Sequence, residues 1–273
     1  MNQMPKAPVK SSDEAGLCSL AAEGEVRFAD GQTETVSWQL PEEVPVALQL
    51  NSEPYTVMMA TPADLRDFAI GFVLAEGLIG KATEIQGVLV MPVENGIAVD
   101  VAVAESAINP ERRVRRSVEG RSGCGLCGVE DIASAIRPLA PVIRTRAPST
   151  AAILKAAKAL PSRQPMNRLN RTVHGAAWVS YDGDIELVRE DVGRHSALDK
   201  LIGALAKAGI DPASGFVLMT SRCSFELVQK SVTFGIGALV TVSAPTALAL
   251  DLAKKSNLFL AALGSGGAVV FNP

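Results

Sequence analysis

The second half of the chain repeats one pattern, a short uncharged apolar run followed by a helix-length amphipathic segment. The runs "FVLMT" (216–220), "ALVTVS" (238–243) and "LFLAAL" (258–263) contain no charged residue. Runs of that kind suit strands covered on both faces, as in a parallel sheet. Between them, "SFELVQKSVTFG" (224–235) and "PTALALDLAKK" (245–255) place apolar residues at helical spacing. Upstream, "AAWVSYDGDIELVRE" (176–190) reads as strand, turn and strand. "SALDKLIGALAKAG" (196–209) is a helix with Leu198, Leu201, Ile202 and Leu205 on one face and Gly209 at its end. Strands alternating with helices predict an α/β fold, a mainly parallel or mixed sheet with flanking helices.

The first half is written differently. Residues 1–24 read as a flexible polar tail. From Gly24 to Ala60, apolar and polar residues alternate around the turn signals "ADGQ" and "LNSEP", which predicts strands and hairpins. In "TPADLRDFAIGFVLAEGLIG" (61–80), Thr61 is a candidate N-cap, Pro62 fits the first helical position and Asp64 completes a pattern like a capping box. "GVLVMPVENGIAVDVAV" (87–103) is two strands around Asn95-Gly96. The arginine- and glycine-rich stretch 109–128 comes next, then a short predicted helix in "VEDIASAI" (129–136) and the proline-bearing connector "LAPVIRTRAPST" (139–150). A smaller α+β region over 25–145 and an α/β domain over 146–273 are therefore expected.

Composition narrows the function classes. A chain of 273 residues, 48% apolar and 20% charged, has the material for a globular core. A net charge of −3 gives no global attraction to nucleic acid or to an anionic membrane. Four scattered cysteines cannot form a disulfide framework, and the N-terminal stretch lacks the apolar centre of an export signal, so a cytoplasmic protein is expected. The segment 234–253, uncharged until its end, is interrupted by Pro245 amid Thr241, Ser243 and Thr246; a buried strand and helix explain it better than a membrane span.

Chemistry is expected where strands of such a sheet run into helix starts. "MTSRCSFE" (219–226) and "VSAPTA" (242–247) are two such junctions in a row. Helix starts expose unpaired N–H groups suited to phosphate, Thr220, Ser221, Ser224, Ser243 and Thr246 add hydroxyls, and Arg222 could fork onto a phosphate. The same residues could be helix caps and nothing more. "GSGG" (264–267) could admit an anion to the backbone or be a plain hairpin turn. "REDVGRHSALDK" (189–200) crowds Glu190, Asp191, Arg194, His195, Asp199 and Lys200 around one helix start, with His195 and Asp199 one turn apart and able to pair. His195 and His174 are the chain's two histidines, and either could be a satisfied core residue.

Cys124 and Cys127 lie in "GCGLCG". A zinc clip needs two more ligands, and no second Cys-x-x-Cys exists. A zinc-deaminase site would need a histidine ahead of the pair and a proline at Gly123, and has neither. A thioredoxin-like pair would follow a strand directly. Glycines at 123, 125 and 128 make the backbone permissive, and Arg112, Arg113, Arg115, Arg116 and Arg121 upstream would favour a thiolate. The pattern suits a mobile nucleophilic sulfur; a structural pair and a redox dithiol remain alternatives.

Four blocks in order resemble the FdhD family, the formate dehydrogenase accessory sulfurtransferases: "NSEPYTVMMATPADLRDFAIGFVLAEGLI", "GCGLCG", "EDVGRHSALDK", and "SFELVQK" with "VSAPTALALDLAKK". The resemblance implies a cytoplasmic homodimer with a cytidine-deaminase-like fold lacking the zinc site, and no structural metal. It implies that persulfide sulfur passes from a cysteine desulfurase to the molybdenum of a bis(molybdopterin guanine dinucleotide) cofactor, carried as cargo for formate dehydrogenase or a related molybdenum or tungsten enzyme. Cys124 would carry the persulfide and Cys127 assist. His174, Arg194, His195, Arg222, Ser224 and the segment Ala262, Leu263, Gly264, Ser265, Gly266 and Gly267 would hold the cofactor through its guanine nucleotide part. The chain departs from the family pattern at Asn170-Arg171-Thr172, at Thr220-Ser221-Arg222, and in the glycine-rich 264–267 segment, which replaces an arginine-bearing loop.

Overall fold

A computed structural model describes residues 18–112, 138–144 and 146–273. The expected helix in 129–136 and the cysteine pair lie outside the described residues. Strands β1 (Ser19–Arg27) and β2 (Thr33–Pro41) form a two-stranded ribbon. Strand β1 thus begins inside the stretch expected to be tail, because its alternating residues pair with β2 from Ser19↔Pro41 onward.

A four-stranded sheet, in the order β4-β3-β6-β5, is built from β3 (Val44–Leu50), β4 (Glu53–Ala60), β5 (Ile85–Val93) and β6 (Gly96–Val103). Helix α1 (Leu65–Ala75) packs on it. The hairpin between β5 and β6 is present, but its turn is shifted by one residue. Val93 pairs with Gly96, so Glu94 and Asn95 form the turn and Asn95 takes the positive φ of 62°. Gly96 sits in the strand, where a Cβ would lie 2.5 Å from the Pro45 carbonyl oxygen. The glycine serves strand approach rather than turn geometry.

The second sheet has six strands in the order β12-β11-β10-β9-β7-β8. They are β7 (His174–Ser180), β8 (Ile185–Asp191), β9 (Gly215–Cys223), β10 (Ala238–Pro245), β11 (Phe259–Gly264) and β12 (Gly267–Asn272). The three uncharged runs form β9, β10 and β11, mutually parallel as expected. β7, β8 and β12 run antiparallel to their neighbours, so the sheet is mixed. Helices α2 (Thr150–Ala159), α3 (Pro165–Asn170), α4 (Arg194–Ala208), α5 (Phe225–Phe234) and α6 (Ala247–Lys255) complete the described helices. Along β9, Val217 and Met219 face one hydrophobic cluster, while Phe216 and Leu218 face another with Ile153 and Ala156 of α2. That alternation is the period of two that covers a sheet on both sides.

The larger cluster joins Leu48 and Val99 of the first sheet to Phe68 and Phe72 of α1, Leu198 and Leu201 of α4, and Leu239 and Leu260 of the second sheet. The two sheets fall on either side of residue 145 in sequence, yet the core between them is continuous. At its centre α1 crosses α4 with backbones in contact. A Cβ on Gly71 would lie 1.7 Å from the Asp199 carbonyl oxygen, and one on Gly203 would lie 1.9 Å from that of Asp67.

The start of α1 differs from expectation. Asp64 occupies the N-cap in a left-handed conformation, with no side-chain cap bond. Thr61 is instead buried and bonded elsewhere, because the end of β8 competes successfully for it: the Thr61 N–H donates to Asp191 Oδ2 (3.0 Å) and its Oγ1 accepts from the Val192 N–H (3.1 Å). Phe234 to Ala253, checked above as a possible membrane span, is the end of α5, β10 and most of α6. Among the described residues no helix is long and apolar enough to cross a membrane.

Candidate functional site

Parallel strands β9, β10 and β11 end on the same sheet edge, and their antiparallel neighbours place the start of β7 and the end of β8 there too. That edge gathers His174 at the first position of β7, Asp191 opposite it, and Arg194 and His195 in the first turn of α4. It also gathers Thr220, Ser221 and Arg222 at the end of β9, and Ser224 as the N-cap of α5. Ala262 and Leu263 lie near the end of β11, where Ala262 pairs with Thr241 of β10. Gly264 pairs with Gly267, so Ser265 and Gly266 form a two-residue hairpin turn at the same edge. The segment 264–267 is therefore a hairpin lying at this edge.

Within this edge the side chains divide their tasks. Arg222 is exposed. Ser224 Oγ lies 3.4 Å from His195 Nε2, and Glu226 Oε2 lies 3.8 Å from the same nitrogen. Glu226 was not singled out by sequence, since a glutamate in a first helical turn reads as dipole complementation. Burial opposes its ionisation, but His195 and Ser224 outweigh that and hold its carboxyl below the usual range. Glu226 Oε2 and Arg194 Nε are buried and make no hydrogen bond to any described residue. His174 is pushed below the usual imidazole range by burial, then by Arg194 and His195, with Asp191 opposing.

The hydroxyls act mainly on the backbone. Thr220 Oγ1 accepts from the Gly175 N–H (2.8 Å), and Thr246 caps α6 by accepting from the Ala249 N–H (3.2 Å). The Asn170-Arg171-Thr172 segment is a turn: Asn170 Oδ1 accepts from the Thr172 N–H and Oγ1, and Arg171 takes a φ of 56°. These residues set the entry of the chain into His174.

Two buried ion-pair clusters stand behind the edge. Lys200 Nζ lies 2.6 Å from Asp191 Oδ2 and donates to the Thr61 carbonyl (3.0 Å), with both charged side chains fully buried. Lys230 Nζ donates to both oxygens of Asp199 (2.8 and 2.9 Å) and lies 3.0 Å from Glu76 Oε1. Lys230 is the strongest partner of Asp199, and His195 adds a weaker favourable interaction with it. The Asp199 carboxylate is taken by Lys230 from α5, and the His195 Nε2 faces Ser224 and Glu226. Burial pushes Asp199 up to about 6, with Lys230 opposing and Glu76 adding to the rise. Glu190 accepts from the Met166 and Asn167 N–H groups (2.9 and 2.8 Å) and so fixes the start of α3.

Of the thiols, Cys18 and Cys223 are fully buried. Burial, then Glu226, pushes the Cys223 thiol up to about 12, which removes it as a nucleophile at neutral pH. Cys124 and Cys127, with Arg113, Arg115, Arg116 and Arg121, lie outside the described residues. Among the described residues no group of three or more His, Cys, Asp and Glu is placed to hold a metal ion.

Comparison with known proteins bears on this arrangement. A crystal structure of a candidate formate dehydrogenase accessory protein from Desulfotalea psychrophila superposes with a TM-score of 0.74 at 26% identity, covering 94% of this chain and 97% of that one. A Bordetella petrii protein named sulfur carrier protein FdhD is 44% identical over 89% of this chain and 87% of its own length. A Cupriavidus necator protein of the same name is 47% identical over 85% and 81%. Residues 41–271 match the FdhD/NarQ family, so the match takes in both sheets, the helices between them and the assembled edge. On that extent of agreement in sequence and fold, the chain belongs to the FdhD/NarQ family.

Proposed function

We propose that the chain is a sulfur carrier for the maturation of formate dehydrogenase or a related molybdenum or tungsten enzyme, acting as a homodimeric cytoplasmic sulfurtransferase. The observation that supports this most is the assembly at one sheet edge of His174, Arg194, His195, Arg222 and Ser224 with the 264–267 hairpin. These groups suit the phosphates of the guanine nucleotide part of the bis(molybdopterin guanine dinucleotide) cargo, a substrate rather than a resident cofactor. With Cys18 and Cys223 buried, sulfur chemistry falls to Cys124 and Cys127.

In the proposed reaction, the Cys124 thiolate attacks the terminal sulfur of a desulfurase persulfide. A new S–S bond forms on Cys124, and the donor cysteine leaves as its thiolate. Delivery to the metal as sulfide needs two electrons. Attack by the Cys127 thiolate on Cys124 Sγ supplies them, releasing hydrosulfide to the metal and leaving a Cys124–Cys127 disulfide. An external thiol can replace Cys127, which is why its role is assisting. Cys124 lies twelve positions beyond Arg112, a span of at most ~43 Å of extended chain. The nine residues of β9 measure ~30 Å, so the linking chain, fully extended, is longer than the strand.

Incubation with a desulfurase and cysteine is expected to add one sulfur to the peptide bearing Cys124, read by mass spectrometry. Cys124→Ala abolishes that loading and formate dehydrogenase maturation, while Cys127→Ala keeps the loading. Absence of added sulfur, or full maturation with both cysteines replaced, refutes sulfur carriage and favours a module that only presents the cofactor. Separately, GDP as a cofactor fragment is expected to bind in a calorimetric titration, and Arg194→Gln to weaken it about tenfold, the scale of one charge-assisted hydrogen bond. GDP that does not bind, or binds equally to the variant, removes the edge as the cargo site.

A further inference from the structure

Ser224 occupies the N-cap of α5 but makes no side-chain cap bond there. Serine is favoured at that position because its oxygen accepts from the unpaired N–H groups of the first turn. Two other N-caps do this. Ser149 accepts from the Ala152 N–H at the start of α2, and Thr246 from the Ala249 N–H at the start of α6. The Ser224 hydroxyl faces His195 Nε2 instead, 3.4 Å away.

His195 is 1% exposed, whereas Ser224 is partly exposed. The imidazole can therefore act on a ligand at the edge only through such a neighbour. Two oxygens face its Nε2: Ser224 Oγ, and Glu226 Oε2 at 3.8 Å. Burial opposes ionisation of Glu226, yet His195 and Ser224 hold its carboxyl below the usual range, so it can only accept. Its Oε2 is buried and makes no hydrogen bond to any described residue. A buried acceptor of that kind calls for a donor, and a hydrogen on Nε2 is one within reach. With the hydrogen there, Ser224 Oγ accepts from Nε2 and its own hydrogen is left to give.

We infer that His195 is a positioning residue, backed by Glu226, which keeps the Ser224 hydroxyl hydrogen available to a phosphate oxygen of the cargo. Donation runs from Nε2–H to Ser224 Oγ and from the Ser224 hydroxyl to the anion. Without the imidazole, the Ser224 hydrogen is drawn to the Glu226 carboxylate, with which it already interacts, or the oxygen turns back to cap α5. The inference rests on the reading of this edge as the cargo site. It adds that a residue out of reach of the cargo sets part of the grip on it.

GDP titration together with urea unfolding tests it. Ser224→Ala is expected to weaken GDP about tenfold, the scale of one hydrogen bond to a charged group. Its unfolding midpoint is expected to stay in place, because no cap is lost. Ser149→Ala removes a working cap beside the β7–β8 turn, at the other end of the sheet. It is expected to lower the midpoint by roughly 0.4 M and to leave GDP binding unchanged. His195→Leu is expected to weaken GDP by the same factor as Ser224→Ala and to add nothing to it in the double variant. His195→Gln, whose amide N–H can stand in for Nε2–H, is expected to stay within about threefold of the wild type.

Undiminished affinity in Ser224→Ala or His195→Leu, additive losses in the double variant, or a glutamine that binds no better than leucine overturns the assignment. So does a midpoint that falls with Ser224→Ala as it does with Ser149→Ala. Each of these leaves the cargo site standing if Arg194→Gln still weakens GDP. GDP that does not bind the wild type removes the cargo site and this assignment together. Should His195→Leu fail to fold, nitrogen chemical shifts of the wild-type imidazole decide: a hydrogen on Nε2 supports the assignment, and a bare Nε2 overturns it.

Discussion

Replacing Lys230 with methionine is expected to destabilise the fold by about 3–5 kcal/mol at about pH 8 and by clearly less at about pH 5. Lys230 is the cation that Asp199 and Glu76 share inside the helix layer. Methionine fills the same space but leaves two buried carboxylates facing each other. The pH dependence follows from the direction of the Asp199 shift. Its folded value, about 6, lies above the ordinary 3.8 because burial disfavours the charged form. A carboxyl raised in the folded state contributes stability that is fully present below the unfolded value and is lost as pH rises through the folded one. Removing Lys230 takes away the main group opposing that rise, so the loss deepens at high pH. At low pH a proton replaces the missing cation. Urea unfolding of both proteins at the two pH values measures this, and a loss equal at both would show that the carboxylates find other partners.

Gly203→Ala and Gly71→Ala are each expected to cost at least ~3 kcal/mol, above the usual range for one added methyl group in a core. The reason is what the new carbon meets. At Gly71 it overlaps the Asp199 carbonyl and at Gly203 the Asp67 carbonyl, and a helix backbone cannot turn aside as a side chain can. The whole of α4 would have to retreat. Because α4 carries Arg194 and His195 in its first turn, its displacement is also expected to weaken GDP binding in whatever fraction remains folded. Gly87 is the control. A Cβ there meets nothing within 4 Å, so Gly87→Ala stays within about 0.5 kcal/mol of the wild type. Thermal and urea unfolding of the three variants checks the series. Equal stability of all three would mean that the two helices do not cross as closely as described.

Much of this was legible in the residues. The uncharged runs of the second half became β9, β10 and β11 because a strand that must be buried on both faces cannot carry charge. The junctions after β9 and β10 were legible for the same reason, since parallel strands put their ends on one edge. Local signals failed where a distant partner outbid a near one. Thr61 has the sequence of a helix cap, but Asp191 and Val192 claim its backbone and hydroxyl from more than a hundred positions away. Asn95-Gly96 has the sequence of a hairpin turn, but Pro45 on the neighbouring strand needs the space that only Gly96 leaves. His195 and Asp199 have helical spacing and do interact, but Lys230 from another helix holds both carboxylate oxygens.

The amino-acid sequence by itself determined the class of fold, the strand edge that gathers the candidate site residues and the membership suggested by four ordered motifs, because periodicity, charge exclusion and local spacing are properties of neighbouring residues. Tertiary structure decided which charges are partnered inside the protein, which glycines are needed for contact and which thiols are hidden. Those outcomes depend on desolvation and on close approach between segments far apart in the chain, and neither quantity exists until the helix layer closes between the two sheets.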